Sequence, residues 1–193
     1  KGVATLLRAF AKLATERDVH LVVVGRPGPG GPTEKLVAEL ALGDKVRFAH
    51  GISDAELAEL AASAQVAVVP SLYEGFSLPA VEHMASGTPL IVSRTGALPE
   101  VVGDTAVMVQ PGDPEELAAA LRDLLDSPQR RARLGEAAWG RVQERFAWPA
   151  VAQATVAEYE RAIAARRGAA LPAARPGGPA PAGRTSLKGA GHC

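Results

Sequence analysis

Short apolar runs rich in β-branched residues alternate along this chain with stretches whose apolar side chains recur every three or four positions. The first pattern suits strands and the second suits helices. Residues 19–24, 46–48, 65–69, 89–92 and 105–109 form the strand-like runs. Val3, Leu6, Leu7, Phe10 and Leu13 mark a first helix, Leu36, Val37 and Leu40 a second, and Leu57 and Leu60 a third. A tight hairpin joins only antiparallel strands, so strands separated by helices imply parallel pairing with helical crossovers. The expected fold class is α/β, a parallel sheet flanked by helices. Ligands of such sheets bind beyond the carboxyl ends of the strands, which directs attention to the loops after Val24, Phe48, Val69 and Val92.

Several helix starts are written in the sequence. Ser53-Asp54-Ala55-Glu56 is a capping box. Asp113-Pro114-Glu115-Glu116 places a capping residue, a proline at the first helical position and a glutamate three residues on. Ser127-Pro128 predicts another start of the same kind. Trp148-Pro149 opens a last helix with Val151, Val156, Tyr159 and Ile163 at roughly helical spacing. Residues 78–85 read as a helix and 98–102 as a short helix or turn.

At 193 residues the chain has room for one domain with a full core and a tail, here divided as 1–167 and 168–193. Residues 168–193 are rich in Ala, Gly and Pro, carry no acidic residue, and hold Arg175, Arg184 and Lys188. They bury too little apolar area to offset their ordering entropy, so the expectation is a disordered tail. Its basic residues allow a peripheral contact with anionic lipid, though an inert tail is the simpler reading. Lysine plus arginine equals aspartate plus glutamate at 21 each, which leaves no global charge for nucleic acid. The single cysteine, Cys193, excludes an internal disulfide framework and suits a reducing cytoplasm. No apolar run approaches the roughly 20 residues that span a bilayer. The chain opens at Lys1-Gly2 and enters a helical pattern at once, which reads as a piece of a longer protein.

The segment richest in chemistry is Glu74-Gly75-Phe76-Ser77-Leu78-Pro79-Ala80-Val81-Glu82. It follows the run Gln65-Val66-Ala67-Val68-Val69-Pro70, so the order is strand, polar turn, helix start. Such a turn aims backbone N–H groups at an anion. Two carboxylates flank it and can accept hydrogen bonds from hydroxyls. An anion beside a polyol suggests a nucleotide-sugar. Glu82 lies in an otherwise apolar helix with Leu78, Val81 and Met84; it either has a partner or faces solvent, because an unpaired buried carboxylate is costly.

Other candidates are weaker. Gly25-Arg26-Pro27-Gly28-Pro29-Gly30-Gly31 follows a strand, but its spacing fits neither a dinucleotide fingerprint nor a P-loop. Gly25 is read both as a plain turn residue and as a neighbour of a ligand. Lys1 could meet a diphosphate as a point charge, yet on sequence alone it is an arbitrary terminal residue. His50 precedes Gly51 at a strand end and could line a pocket; His83 reads first as structural. The histidines at 20, 50, 83 and 192 have no zinc spacing, and no Asp-x-Asp exists to hold a diphosphate through a metal. No metal and no cofactor are expected.

The run Pro70-Ser71-Leu72-Tyr73-Glu74-Gly75-Phe76-Ser77-Leu78-Pro79-Ala80-Val81-Glu82-His83-Met84-Ala85-Ser86-Gly87-Thr88-Pro89 resembles the Glu-x7-Glu signature of the family 4 retaining glycosyltransferases. Gly96-Ala97-Leu98-Pro99-Glu100-Val101-Val102 and Gln110-Pro111-Gly112-Asp113 resemble the same family's C-terminal domain, in the same order. The resemblance implies a Rossmann-like sheet, the C-terminal half of a GT-B fold, whose N-terminal domain is not in this chain. It implies a metal-independent hexosyltransferase with a UDP- or GDP-sugar as donor and a glycan, lipid or small molecule as acceptor. It further implies Glu74 on the donor-sugar hydroxyls, Gly75, Phe76, Ser77 and Leu78 around the sugar and diphosphate, and Glu82 on the ribose. Gly51 and Ile52 would line the base. Lys1 matches the lysine of an Arg-x4-Lys diphosphate clamp and joins Glu74 as a catalytic residue. The alternatives are a non-catalytic nucleotide-binding module and a nucleotide-sugar epimerase or phosphorylase on a similar fold. Ser77 departs from a frequent glycine; should the position need a positive φ, serine carries strain there. His83 departs from a frequent alanine, and Gln65 stands where an aspartate is common.

Overall fold

A computed structural model of the chain describes residues 1–166. The expected tail at 168–193 lies outside the described residues. Elements follow in the order α1 (Val3–Glu16), β1 (Leu21–Val24), α2 (Pro32–Glu39), β2 (Val46–Ala49), α3 (Asp54–Ser63), β3 (Ala67–Val69), α4 (Leu78–Ala85), β4 (Leu90–Ser93), α5 (Leu98–Val102), β5 (Val107–Val109), α6 (Pro114–Asp126), α7 (Pro128–Arg145) and α8 (Trp148–Arg166). Lys1–Ala147 form one compact unit, and a second begins at Trp148. In the second, α8 exposes Trp148, Val156, Tyr159 and Ile163. No described helix is long and apolar enough to cross a membrane.

All strand pairs in the first unit are parallel, as the strand–helix alternation requires. The strands fall into two ladders, β1-β2 and β3-β4-β5. Leu21 pairs with Val46 in the first, and Val68 with Ile91 and Ile91 with Val107 in the second. Because the strands are parallel within each ladder, the loops after β1 and β2 leave one edge of theirs together, as do those after β3, β4 and β5.

β4 is the centre of the fold, and every residue of it is buried. Successive strand side chains point to opposite faces. Leu90 and Val92 therefore pack with Met84, Leu98 and Val102 of α4 and α5 and with Ala138 and Val142 of α7. Ile91 points the other way, to Leu13 of α1 and to Leu117 and Leu124 of α6. A third cluster joins Leu7 and Phe10 of α1 to Leu42 and to Val46 of β2. Each fully buried aliphatic side chain contributes roughly 1.5–3 kcal/mol, so the layer around β4 dominates stability.

The helix starts follow the chemistry of their caps. Ser53 Oγ accepts from the Glu56 N–H at 3.3 Å, and Glu56 Oε2 accepts from the Ser53 N–H at 2.7 Å. Asp113 Oδ1 accepts from the N–H groups of Glu115 and Glu116 at 2.8 and 3.0 Å. Ser127 is different: its side chain makes no capping bond. It ends α6 and begins α7 at once, and its N–H donates to the Leu124 carbonyl at 3.2 Å. Arg131 completes the junction, donating to the carbonyls of Leu124 and Leu125 at 2.6 Å each.

Candidate functional site

Residues 70–77 join β3 to α4 and carry Glu74. Ser71 is 3 % exposed, and its hydroxyl donates to Glu74 Oε2 at 3.0 Å. The segment just past β4 braces the same loop from behind. Thr95 Oγ1 donates to the Leu72 carbonyl at 3.1 Å, and the Ala97 N–H donates to the Glu74 carbonyl at 2.9 Å. Between them Gly96, at φ 52°, lies so close that a Cβ there would stand 2.1 Å from the Glu74 carbonyl oxygen. The Phe76 ring meets Phe146 edge-on, with centroids 5.9 Å apart and planes at 73°.

The loop ends at Ser77, which has φ 84° and ψ 78°. The position does take a positive φ, so serine here bears a cost of about 1–2 kcal/mol. Part of it is offset because Ser77 Oγ accepts from the Ala80 N–H at 3.4 Å. Ala80 and Val81 also donate to the Ser77 carbonyl, at 3.2 and 3.3 Å, and Pro79 has no N–H. Among the described residues, the N–H groups of Gly75, Phe76, Ser77 and Leu78 donate to no protein acceptor. Four successive donors at a helix N-terminus suit an anion, since the helix dipole and the orphan N–H groups act together.

Beside this loop a cleft of about 660 Å³ opens between the two ladders. β1 and β3 form its walls, and Pro70, Ser71 and Glu74 extend its lining past the carboxyl end of β3. Lys1, Glu82 and His83 line it as well. Lys1 reaches it through Gly2. With φ 71°, Gly2 lets the start of α1 press against the end of β3, where a Cβ would stand 1.7 Å from the Pro70 carbonyl oxygen. Glu82 is exposed on α4, so its carboxylate is solvated and bears no burial cost. Next to it, the Nδ1 of His83 is buried without a hydrogen-bond partner. Burial pushes the His83 pKa below its ordinary 6.5, which leaves the ring neutral at pH 7.

Lys1, Glu74 and Glu82 are thus brought to one cleft, although the first is far from the others in sequence. Gly25, His50, Gly51, Ile52, Gly75, Phe76, Ser77 and Leu78 lie outside its lining. They follow strand ends instead. Gly25 extends the first ladder, donating its N–H to the Ala49 carbonyl at 2.8 Å. His50, Gly51 and Ile52 run from the end of β2 to the Ser53 cap of α3. Phe76 and Leu78 are exposed at the start of α4. Residues absent from the expected site are Ser71, Thr95 and Ala97, which hold Glu74 and its loop; Ser71 and Ala97 lie in segments that carry the family resemblance, but nothing in the sequence marks their contact with Glu74.

Residues 1–141 match the family model described as glycosyl transferases group 1. The chain is 58 % identical over 167 residues to the MMP alpha-(1->4)-mannosyltransferase of Mycolicibacterium hassiacum, covering 85 % of this chain and 41 % of that protein. Among solved structures it is similar to sucrose-phosphate synthase from Thermosynechococcus elongatus, with a TM-score of 0.75 and 37 % identity, over 86 % of this chain and 43 % of that one. It is also similar to the C-terminal domain of a group 1 family glycosyl transferase from Francisella tularensis. There the TM-score is 0.67 at 26 % identity, over 76 % of this chain and 80 % of that one. The chain spans about two fifths of the length of the curated relatives it matches.

Proposed function

The chain belongs to the group 1 glycosyl transferases, and from that premise we propose that it forms the donor-binding, C-terminal half of a GT-B enzyme. That enzyme moves a sugar from a nucleotide diphosphate to an acceptor, with retention at the anomeric carbon. The observation that carries the reading is the convergence at one loop of the unpartnered N–H groups of Gly75, Phe76, Ser77 and Leu78 with Glu74, and of Lys1 and Glu82 at the adjoining cleft. Donors and a cation favour a diphosphate; the carboxylates favour hydroxyls.

Each residue then has a distinct task. Glu74 accepts hydrogen bonds from the donor-sugar hydroxyls, and Glu82 from the ribose. His50, Gly51 and Ile52 border the base, with Gly25 at the neighbouring strand end. The chemical demand is a departing diphosphate while positive charge develops on the sugar. Lys1 and the helix N-terminus meet it electrostatically, as preorganised partners of the growing negative charge. The acceptor side of the cleft comes from an N-terminal Rossmann-like domain, in keeping with relatives more than twice as long. The relative at 58 % identity is named a mannosyltransferase, which makes a mannosyl nucleotide the first donor to test.

Calorimetry of the wild-type chain and Glu82→Ala with GDP-mannose and UDP-glucose tests the proposal. A hydrogen bond to a charged group contributes roughly 1.5–3 kcal/mol, so the variant is expected to bind about tenfold more weakly or worse. Equal affinity in the variant removes the ribose assignment. No binding of either nucleotide-sugar by the wild type removes the donor-site reading.

A further inference from the structure

The Glu74 carboxylate is held by a buried neighbour. A glutamate has three rotatable side-chain bonds, and at a half-buried turn its carboxylate can point in several directions. Here one oxygen is engaged: Glu74 Oε2 accepts from Ser71 Oγ at 3.0 Å. Ser71 is 3 % exposed, so its hydroxyl has little access to water as an alternative partner. A carboxylate offers about four acceptor sites, and the Ser71 bond uses one of them. Oε1 is thereby presented in a fixed direction. The backbone beneath is fixed independently, by the Ala97 N–H on the Glu74 carbonyl at 2.9 Å and by Thr95 Oγ1 on the Leu72 carbonyl at 3.1 Å.

We infer that Ser71 is a positioning residue for Glu74: its buried hydroxyl orients the Glu74 carboxylate toward the donor sugar and so sets how strongly a sugar-bearing nucleotide is preferred over the bare nucleotide. The inference rests on Glu74 being the group that meets the sugar. Ser71 itself touches no ligand in this account. Its effect is preorganisation, because a side chain already held in its binding orientation loses less freedom when the ligand arrives.

The test is calorimetry of the 193-residue chain with GDP and GDP-mannose, and with UDP and UDP-glucose, across wild type, Ser71→Ala, Ser71→Cys, Glu74→Ala and the Ser71→Ala/Glu74→Ala pair. Ser71→Ala is expected to weaken the nucleotide-sugar by about tenfold, the scale of one hydrogen bond to a charged group, and to leave the bare nucleotide unchanged. Ser71→Cys keeps a small side chain of the same shape, slightly larger and with a poorer donor, and is expected to move the same way by less. In the Glu74→Ala background, Ser71→Ala is expected to add no further loss, as coupled residues do not act additively. Equal weakening of nucleotide and nucleotide-sugar by Ser71→Ala overturns the inference, since that is the signature of general loop damage. Unchanged binding in Ser71→Ala, with sugar preference lost in Glu74→Ala, overturns the positioning role and leaves the Glu74 assignment standing. Sugar preference retained in Glu74→Ala refutes the Glu74 assignment and this inference together.

Discussion

Replacing Gly96 with alanine is the sharpest structural test of how the Glu74 loop is built. Gly96 has φ 52°, and an added Cβ would stand 2.1 Å from the Glu74 carbonyl oxygen and 3.0 Å from its carbon. Two costs follow. An L-residue in the left-handed region loses about 1–2 kcal/mol. The stiffer unfolded chain returns about 0.4–1 kcal/mol of that. The overlap cannot be relieved by a rotamer change, because the opposing atom is backbone. The Glu74 carbonyl must retreat by about 1.3 Å to reach an ordinary contact distance of 3.4 Å, which stretches its bond from the Ala97 N–H. Overpacking of this kind costs typically 1–3 kcal/mol. The total is about 2–4 kcal/mol. Gly112→Ala supplies the control, since Gly112 has φ 79° but its Cβ would meet nothing nearer than Leu72 Cδ2 at 3.8 Å. That variant bears the backbone cost alone, about 1 kcal/mol. Urea unfolding followed by far-ultraviolet circular dichroism reads both. With a slope of about 2 kcal/mol per molar, the Gly96→Ala midpoint lies about 1 M below that of Gly112→Ala. Coincident midpoints at equal slopes would refute the claim that close approach to Glu74, and not φ alone, demands glycine at 96.

Three further outcomes follow from the same physical reading. Asp113→Ala removes the acceptor for two N–H groups at the start of α6 and lowers stability by about 1 kcal/mol, whereas Ser127→Ala changes it little because that side chain caps nothing; equal losses by chemical denaturation contradict this. His83 is half-buried with a pKa held below 6.5 by desolvation, so the unfolded chain takes up its proton first as the pH falls. The stability it contributes is complete above 6.5 and is lost as the pH falls through the lowered folded value; His83→Leu removes that part of the slope, and parallel stability–pH profiles would count against it. On the proposed reading the 193-residue chain is expected to bind donor and to transfer no sugar, and product in a radiolabelled transfer assay with the purified chain would overturn the assignment of the acceptor side to another domain.

Much of the fold was legible because its signals are local. The switch between short β-branched runs and helical spacing located the strands, and α4 and α5 have the limits expected for them. The caps at Ser53 and Asp113 were legible for the same reason: a capping side chain and the N–H it serves are three residues apart at most. Ser127-Pro128 opens α7 as expected, but not through a side-chain cap: the Ser127 N–H turns back to the Leu124 carbonyl, and Arg131 of the following helix donates to the carbonyls of Leu124 and Leu125, a contact no local pattern encodes. The division of the strands into two ladders was not legible, since a run such as Leu21–Val24 carries no mark of which edge will be paired. At the site, the positive φ at Ser77 was foreseen only as a condition, from the glycine frequent there in the family that the segment resembles; the serine itself gives no sign of it. The brace behind Glu74 could not. It depends on the approach of Thr95, Gly96 and Ala97 across the end of the sheet, and no periodicity encodes such a contact.

In the proposed complex a nucleotide-sugar lies against the loop between β3 and α4 with its diphosphate on the backbone donors of that loop. Amide chemical-shift mapping of the isotopically labelled chain with GDP-mannose and UDP-glucose tests it most directly. Saturable shifts are expected at the amides of Gly75, Phe76, Ser77 and Leu78, joined by Gly51 and Ile52, with loss of the shifts at 75–78 when the diphosphate is replaced by the bare nucleoside. Saturable binding that leaves those amides unmoved, or shifts there that are the same with the nucleoside alone, would contradict it.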